Sequence, residues 1–151
     1  MQNSHFAFLF NWAGKPWLTQ KWSRSIIERY YGVGQANAYL GDEDQGQMSA
    51  WLVVASLGLF QTDGGCSTNP VYEIASPLYE KCVIHLGEQF GRGKQFTIQA
   101  RGVSRKNIYV QRATLNGQPL QTFHFPAAEL LKGGSLILEM GPQPNKMWGI
   151  E

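Results

Sequence analysis

The feature that most constrains this chain is a single change in the spacing of its apolar residues, near Phe60. Before that point they recur three and four residues apart, as on one face of a helix. After it they alternate with polar residues, as in strands with one buried side. A chain of 151 residues written in this way is expected to fold as α+β, with helices first and a sheet region second.

In the helical half, Phe6, Phe8, Leu9, Phe10 and Trp12 form a segment that is apolar nearly all round and ends at Gly14. Glycine suits the left-handed residue that closes a helix, and a helix without a polar face needs neighbours on several sides. Pro16 then opens a second helix, because its missing N–H costs nothing in a first turn. Trp17, Leu18, Trp22, Ile26, Ile27 and Tyr30 give this helix an apolar stripe up to Gly32, and it is expected antiparallel to the first. A loop from Gly34 to Tyr39 follows. The third helix is expected from about Asp44 to Leu57, stopped by Gly58.

The turn-rich stretch from Gln61 to Pro70 separates the halves. Beyond it, Val71 to Ile74, Cys82 to Leu86, Phe96 to Ala100, Ile108 to Leu115, Leu120 to Phe123 and Leu136 to Met140 read as strands of a small antiparallel unit. Asn116-Gly117 is a two-residue hairpin turn, and Ala127 to Leu131 one turn of helix. The expected division is therefore residues 1–60 and 61–151.

Several function classes are excluded by composition. Thirteen Lys and Arg against eleven Asp and Glu give a net charge of +2 with no basic stripe, so no nucleic-acid partner is expected. No apolar run reaches the roughly 18 residues of a membrane span, and Met1-Gln2-Asn3-Ser4-His5 lacks the basic start of a signal peptide, so no membrane partner is expected either. Cys66 and Cys82 have no zinc or redox spacing, and whether they pair is left open.

The chemistry-bearing stretch is Gly41-Asp42-Glu43-Asp44-Gln45-Gly46-Gln47-Met48-Ser49-Ala50-Trp51, an acidic loop feeding the third helix. One reading is capping: Asp42 and Gln45 have capping-box spacing, and acids at a helix N-terminus gain roughly 0.3 to 1 kcal/mol each from its dipole. A calcium loop of EF-hand type fails, because Gln47 stands at the required glycine and Val53 at the bidentate acid. The third reading is acid–base chemistry, in which neighbouring carboxylates repel and one stays ionised as a base. Glycoside hydrolysis with inversion also needs a proton donor about 6.5 to 9.5 Å away, too far for Asp42 and Asp44 to serve each other. Neither Glu28 nor Glu73 has a convincing context as that donor.

The run His5-Phe-Ala-Phe-Leu-Phe-Asn-Trp-Ala-Gly-Lys-Pro-Trp-Leu-Thr-Gln20, Tyr31-Gly32, and Gly41 to Trp51 together resemble the C-terminal part of the α-mannosidases of glycoside hydrolase family 92. Tyr72 to Pro77, Asn107 to Gln111, Ala113 to Gly117 and Met140-Gly141-Pro142 fit the same pattern, in the same order. The resemblance implies calcium-dependent, inverting, exo-acting release of mannose from α-mannoside glycans, on an (α/α)6 barrel with β-sandwich elements. The three helices would then be the last part of the barrel and the β unit its C-terminal region.

The resemblance also implies roles. Asp44 looks like the general base that activates water, with Asp42 assisting it, and the pair supplies the acidic contacts to Ca2+, direct or through water. Gln47 is expected either to touch a sugar hydroxyl or to pack on the helix surface. Asn3 and His5 are read either as lining the site or as helix-start residues. In the family the general acid is a glutamate upstream of this segment, and Met1-Gln2-Asn3 stands where an Asn-Glu-Pro type sequence is usual. The chain is accordingly expected to be a fragment that needs the missing N-terminal part of its parent, inactive alone. Its parent is expected to be secreted, periplasmic or cell-surface in bacteria. The alternative is a non-catalytic carbohydrate-binding or structural β module.

Overall fold

The computed structural model describes residues 4–32, 43 and 45–150. A 3-10 turn, Ser4–Phe8, runs into a short helix α1, Leu9–Trp12. The expected first helix is thus half 3-10, a tighter winding that lets Ala7 and Phe8 both reach the interior. Gly14 takes φ +68° between α1 and α2, Pro16–Tyr30, as its place in the sequence required. Helix α3, Gln47–Ser56, ends in a turn at Gly58, φ +78°.

A two-residue strand β1, Leu59–Phe60, leaves that turn and pairs antiparallel with β2, Val71–Ile74, which in turn pairs with β7, His124–Pro126. The second sheet has the order β3-β4-β8-β5-β6, formed by Lys81–His85, Gln95–Arg101, Gly134–Gly141, Tyr109–Leu115 and Gln118–Leu120. Helix α4, Ala127–Lys132, leads into β8.

Among the described residues the strand pairs are antiparallel with one exception: β8 lies parallel to β4. The last strand inserts between β4 and β5, where both its neighbours bury Leu136 and Leu138. The expected strand Leu120 to Phe123 is corrected. That stretch is the passage between sheets, with Leu120 ending β6 in one and His124 opening β7 in the other. Phe123 is buried there and donates nothing to a ladder of its own; its carbonyl accepts from Ile74 at 2.7 Å.

Leu59, Ile74 and Phe125 from the first sheet and Phe96, Ile98, Leu136 and Leu138 from the second form one core, with Phe96 and Phe125 stacked at 6.0 Å. A second core of Ala7, Phe8, Ile27, Trp51, Ala55 and Ala75 joins the helices to the first sheet. Helix α2 meets the β region through polar residues. Thr19, Gln20, Ser23 and Arg24 are buried, and Gln20 accepts the N–H of Val110 at 3.0 Å. Arg24 donates to the Pro77 carbonyl at 2.5 Å and the Ser104 carbonyl at 3.3 Å. The apolar stripe read from the sequence is split: Ile27 is buried in the second core, whereas Trp22 and Tyr30 are exposed. Cys66 and Cys82 are both free thiols.

Candidate active site at the start of the third helix

The acidic loop enters α3 through two left-handed residues, Gln45 at φ +59° and Gly46 at φ +94°. This tight entry turns the chain back on Glu43. The Glu43 carboxylate accepts from the backbone N–H of Gly46 and, at 2.9 Å, from that of Ser49. The Glu43 carbonyl also accepts from Met48 at 3.3 Å. Orphan N–H groups of a first turn are thereby satisfied by one residue. The Ser49 hydroxyl, its N–H and the Gly46 N–H hold the Glu43 carboxyl below its ordinary range.

Glu43 caps α3 with both of its oxygens, and the capping expected of Asp42 falls on a residue outside those described. Asp42, Asp44 and Asn3 lie outside the described residues. Glu43 was missed as the cap because no fixed spacing marks a carboxylate three residues before the last loop residue. The one available signal was Gly46, free to take the left-handed turn that brings Glu43 round.

Gln47 is exposed at the first position of α3 and lines a cavity of about 360 Å³ with Trp51, Phe60, Gln61, Gly64 and Tyr72. Trp51 is buried below it, stacked on Tyr31 at 5.5 Å and met edge-on by Phe8 at 6.4 Å. Phe8 closes the 3-10 turn that carries His5, so the helix start and the His5 turn share one packed cluster. His5 is half-buried, its ring edge-on to Phe6 at 5.0 Å. Of the five sequence-predicted site residues, the structure thus describes His5 and Gln47, on two elements joined through Phe8 and Trp51.

Neither rejected proton donor gains a catalytic context. Glu28 pairs with Arg24 at 3.1 Å on α2. Glu73 is buried in β2 and accepts from Asn11 Nδ2 at 3.0 Å, from Thr62 N at 3.2 Å and from the Thr62 hydroxyl. Trp12 is largely exposed and Trp17 lies under Lys146 Nζ, whereas Trp51 is core. His85 is exposed on its strand, and His124 stacks on Trp12 at 5.7 Å. Among the described residues no group of three or more His, Cys, Asp or Glu side chains is placed to hold a metal, and no helix is long and apolar enough to cross a membrane.

A family model described as the glycosyl hydrolase family 92 catalytic domain matches residues 2–142. A family GH92 α-mannosidase of Bacteroides thetaiotaomicron superposes with TM-score 0.86 at 31% identity, over 98% of this chain and 19% of its own. An inverting mannosidase of family GH92 from the same species does so with TM-score 0.85 at 36% identity, over 97% of this chain and 19% of its own. An uncharacterized secreted glycosidase of Arthroderma benhamiae is 31% identical over 144 residues, 94% of this chain and 18% of that protein. The chain spans about a fifth of the length of these relatives.

Proposed function

The chain belongs to glycosyl hydrolase family 92, and from that premise we propose that it is the C-terminal part of an inverting, exo-acting α-mannosidase that releases terminal mannose from α-mannosides such as N-glycans. Residues 1–60 close an (α/α)6 catalytic barrel and residues 61–151 form its C-terminal β region. The observation that carries this reading is the orientation of α2. It buries mainly polar residues, Thr19, Gln20, Ser23 and Arg24 beside Ile27, while its Trp22 and Ile26 form an open apolar groove with Phe6 and Phe10 of the preceding turn and helix, Phe6 and Trp22 being 52% and 39% exposed. A helix inverted in this way expects apolar cover on its outer side, which the other helices of a barrel would supply.

In the proposed reaction Asp44 is the general base. It takes a proton from a water whose oxygen bonds to the anomeric carbon, while the glycosidic C–O bond breaks on the opposite face. Asp42 holds that water in line. The departing oxygen receives its proton from a glutamate outside this chain. Glu43, between them in sequence, is the anchor: each of its oxygens accepts a backbone N–H at the start of α3 and so holds the loop. Gln47, His5 and Asn3 are assigned, on this reading, to contacts with the terminal sugar.

Calcium fits this chain only in part. A hard cation takes six to eight oxygen ligands. With Glu43 engaged, Asp42 and Asp44 are the acids this segment offers, directly or through water, so the remaining ligands come from elsewhere in the parent. When bound, the ion would hold two sugar hydroxyls and favour the distorted ring of the transition state. The parent acts outside the cytoplasm, secreted, periplasmic or at the cell surface, in keeping with the description of the Arthroderma relative as secreted.

The test is an assay of the purified 151-residue chain on an aryl α-mannoside with calcium. No turnover above the uncatalysed rate is expected, because the acid is absent. Calcium-dependent turnover would sink the division of acid and base between this chain and the rest of its parent.

A further inference from the structure

We propose that a second cavity, whose Thr62 and Asp63 lie between Gln61 and Gly64 of the first, is a carbohydrate-binding site for a neutral sugar. This inference does not rest on the mannosidase reading. The cavity has a volume of about 550 Å³ and is walled by Trp12, Thr62, Asp63, Ser67, Asn69 and Glu73.

Its lining is mainly apolar, with Val71 beside Trp12 and polar groups at the floor and rim, the mixture that takes the C–H face and the hydroxyls of a sugar ring. Trp12 is 54% exposed, and its indole is held in place by a stack on His124 at 5.7 Å and an edge contact with Phe123 at 5.0 Å. His124 occupies one face, so the open area is the other face and the rim, a platform for the C–H face of a pyranose ring. His124 is also the register partner of Glu73, which puts platform and carboxyl beside the same stretch of sheet.

Glu73 supplies the polar floor. It is 1% exposed, and no described ion pair includes it. Its oxygens accept from Asn11 Nδ2, Thr62 N and Thr62 Oγ1. A carboxylate accepts about four hydrogen bonds, so Oε2, with one donor, retains capacity for a hydroxyl. Asn11 Oδ1, buried beside it, has no partner among the described residues. Around the rim, Ser67 and Asn69 offer exposed polar groups, and Asp63 is held below its ordinary carboxyl range by the Gly65 N–H and the Ser67 hydroxyl. No Lys or Arg lines the cavity. Acidic walls without a cation select against uronic acids and sugar phosphates.

The experiment is a titration of the isotopically labelled 151-residue protein with methyl α-mannoside and methyl α-glucoside, followed by NMR and with excess EGTA present. The Trp12 indole N–H resonance, assigned with Trp12→Phe, is expected to shift saturably with at least one of them, and not with glucuronate. Trp12→Ala should weaken binding at least tenfold, with Trp12→Phe keeping most of it. Asn69→Ala, at an exposed position, should weaken it several-fold if Trp12→Ala does not fold. No saturable shift, or binding unchanged by both variants, overturns the proposal. Binding that appears only with calcium and ignores Trp12 belongs to the catalytic cleft and also overturns it, whereas failure here leaves the mannosidase assay untouched.

Discussion

The Glu43 carboxylate caps α3 by accepting the backbone N–H of Ser49 at 2.9 Å. That one relationship gives Glu43, within the Asp42-Glu43-Asp44 run, a structural role. It also ties the start of α3 to the ionisation of Glu43.

Glu43→Gln should therefore lower the thermal midpoint at neutral pH. The native carboxyl is held below its ordinary range, so its contribution is present above about pH 4.3, the unfolded value. It is lost as pH falls through the lower native value. Melts followed by circular dichroism should show the difference between wild type and Glu43→Gln at pH 7 and its disappearance in acid. A difference that persists undiminished at low pH would assign it to packing.

Asn11→Ala should destabilise the fold by about 1–3 kcal/mol, the cost of leaving a buried acceptor without its donor. Asn11 and Glu73 lie 62 residues apart and join α1 to β2 at 3.0 Å. Urea denaturation measures the loss, and Asn11→Asp, which sets two carboxyls together, should cost more.

Arg24→Met should cost about 3 kcal/mol, since two carbonyls each lose a charged donor worth about 1.5 kcal/mol or more. Those carbonyls, of Pro77 and Ser104, belong to separate loops that Arg24 holds against α2. Arg24→Lys should restore less than half of the loss, because one ammonium lacks the fork that reaches both. Equilibrium unfolding of the three proteins separates these outcomes.

Gly58→Ala should be among the most damaging small changes, about 3 kcal/mol or more from left-handed strain and overlap together. Gly58 sits at φ +78°, and a Cβ there would come within 2.5 Å of Pro77 Cγ and 2.9 Å of Pro77 N. Expression and thermal melting of Gly58→Ala against Gly14→Ala, where no atom lies within 4 Å of the added Cβ, isolate the overlap.

Local patterns were legible in the sequence wherever one residue type decides the backbone. Gly58 ends its helix, Asn116-Gly117 turns β5 into β6 with both residues at positive φ, and the strand Val71–Ile74 has the bounds its alternation predicts. What was hidden depends on partners far along the chain. A two-residue strand such as β1 has no period to read. Leu120 to Phe123 looks like one strand because its apolar residues serve two sheets. The parallel seat of β8 beside β4 leaves no mark on either strand, and the buried face of α2 is largely polar because Gln20 and Arg24 meet a backbone N–H and two carbonyls. In the candidate site, the acidic loop and its resemblance were visible at once. The cap that Glu43 supplies depends on the left-handed turn at Gln45 and Gly46, which its spacing in the sequence does not show.

The most direct measurement is kcat for an aryl α-mannoside, in calcium, of the catalytic domain completed with the preceding part of its parent, as wild type and as Asp44→Asn. Loss of the base should lower kcat by about 10²- to 10⁴-fold with the melting midpoint unchanged. Retention of wild-type kcat by a folded Asp44→Asn protein would contradict the assignment of the water-activating base to this loop.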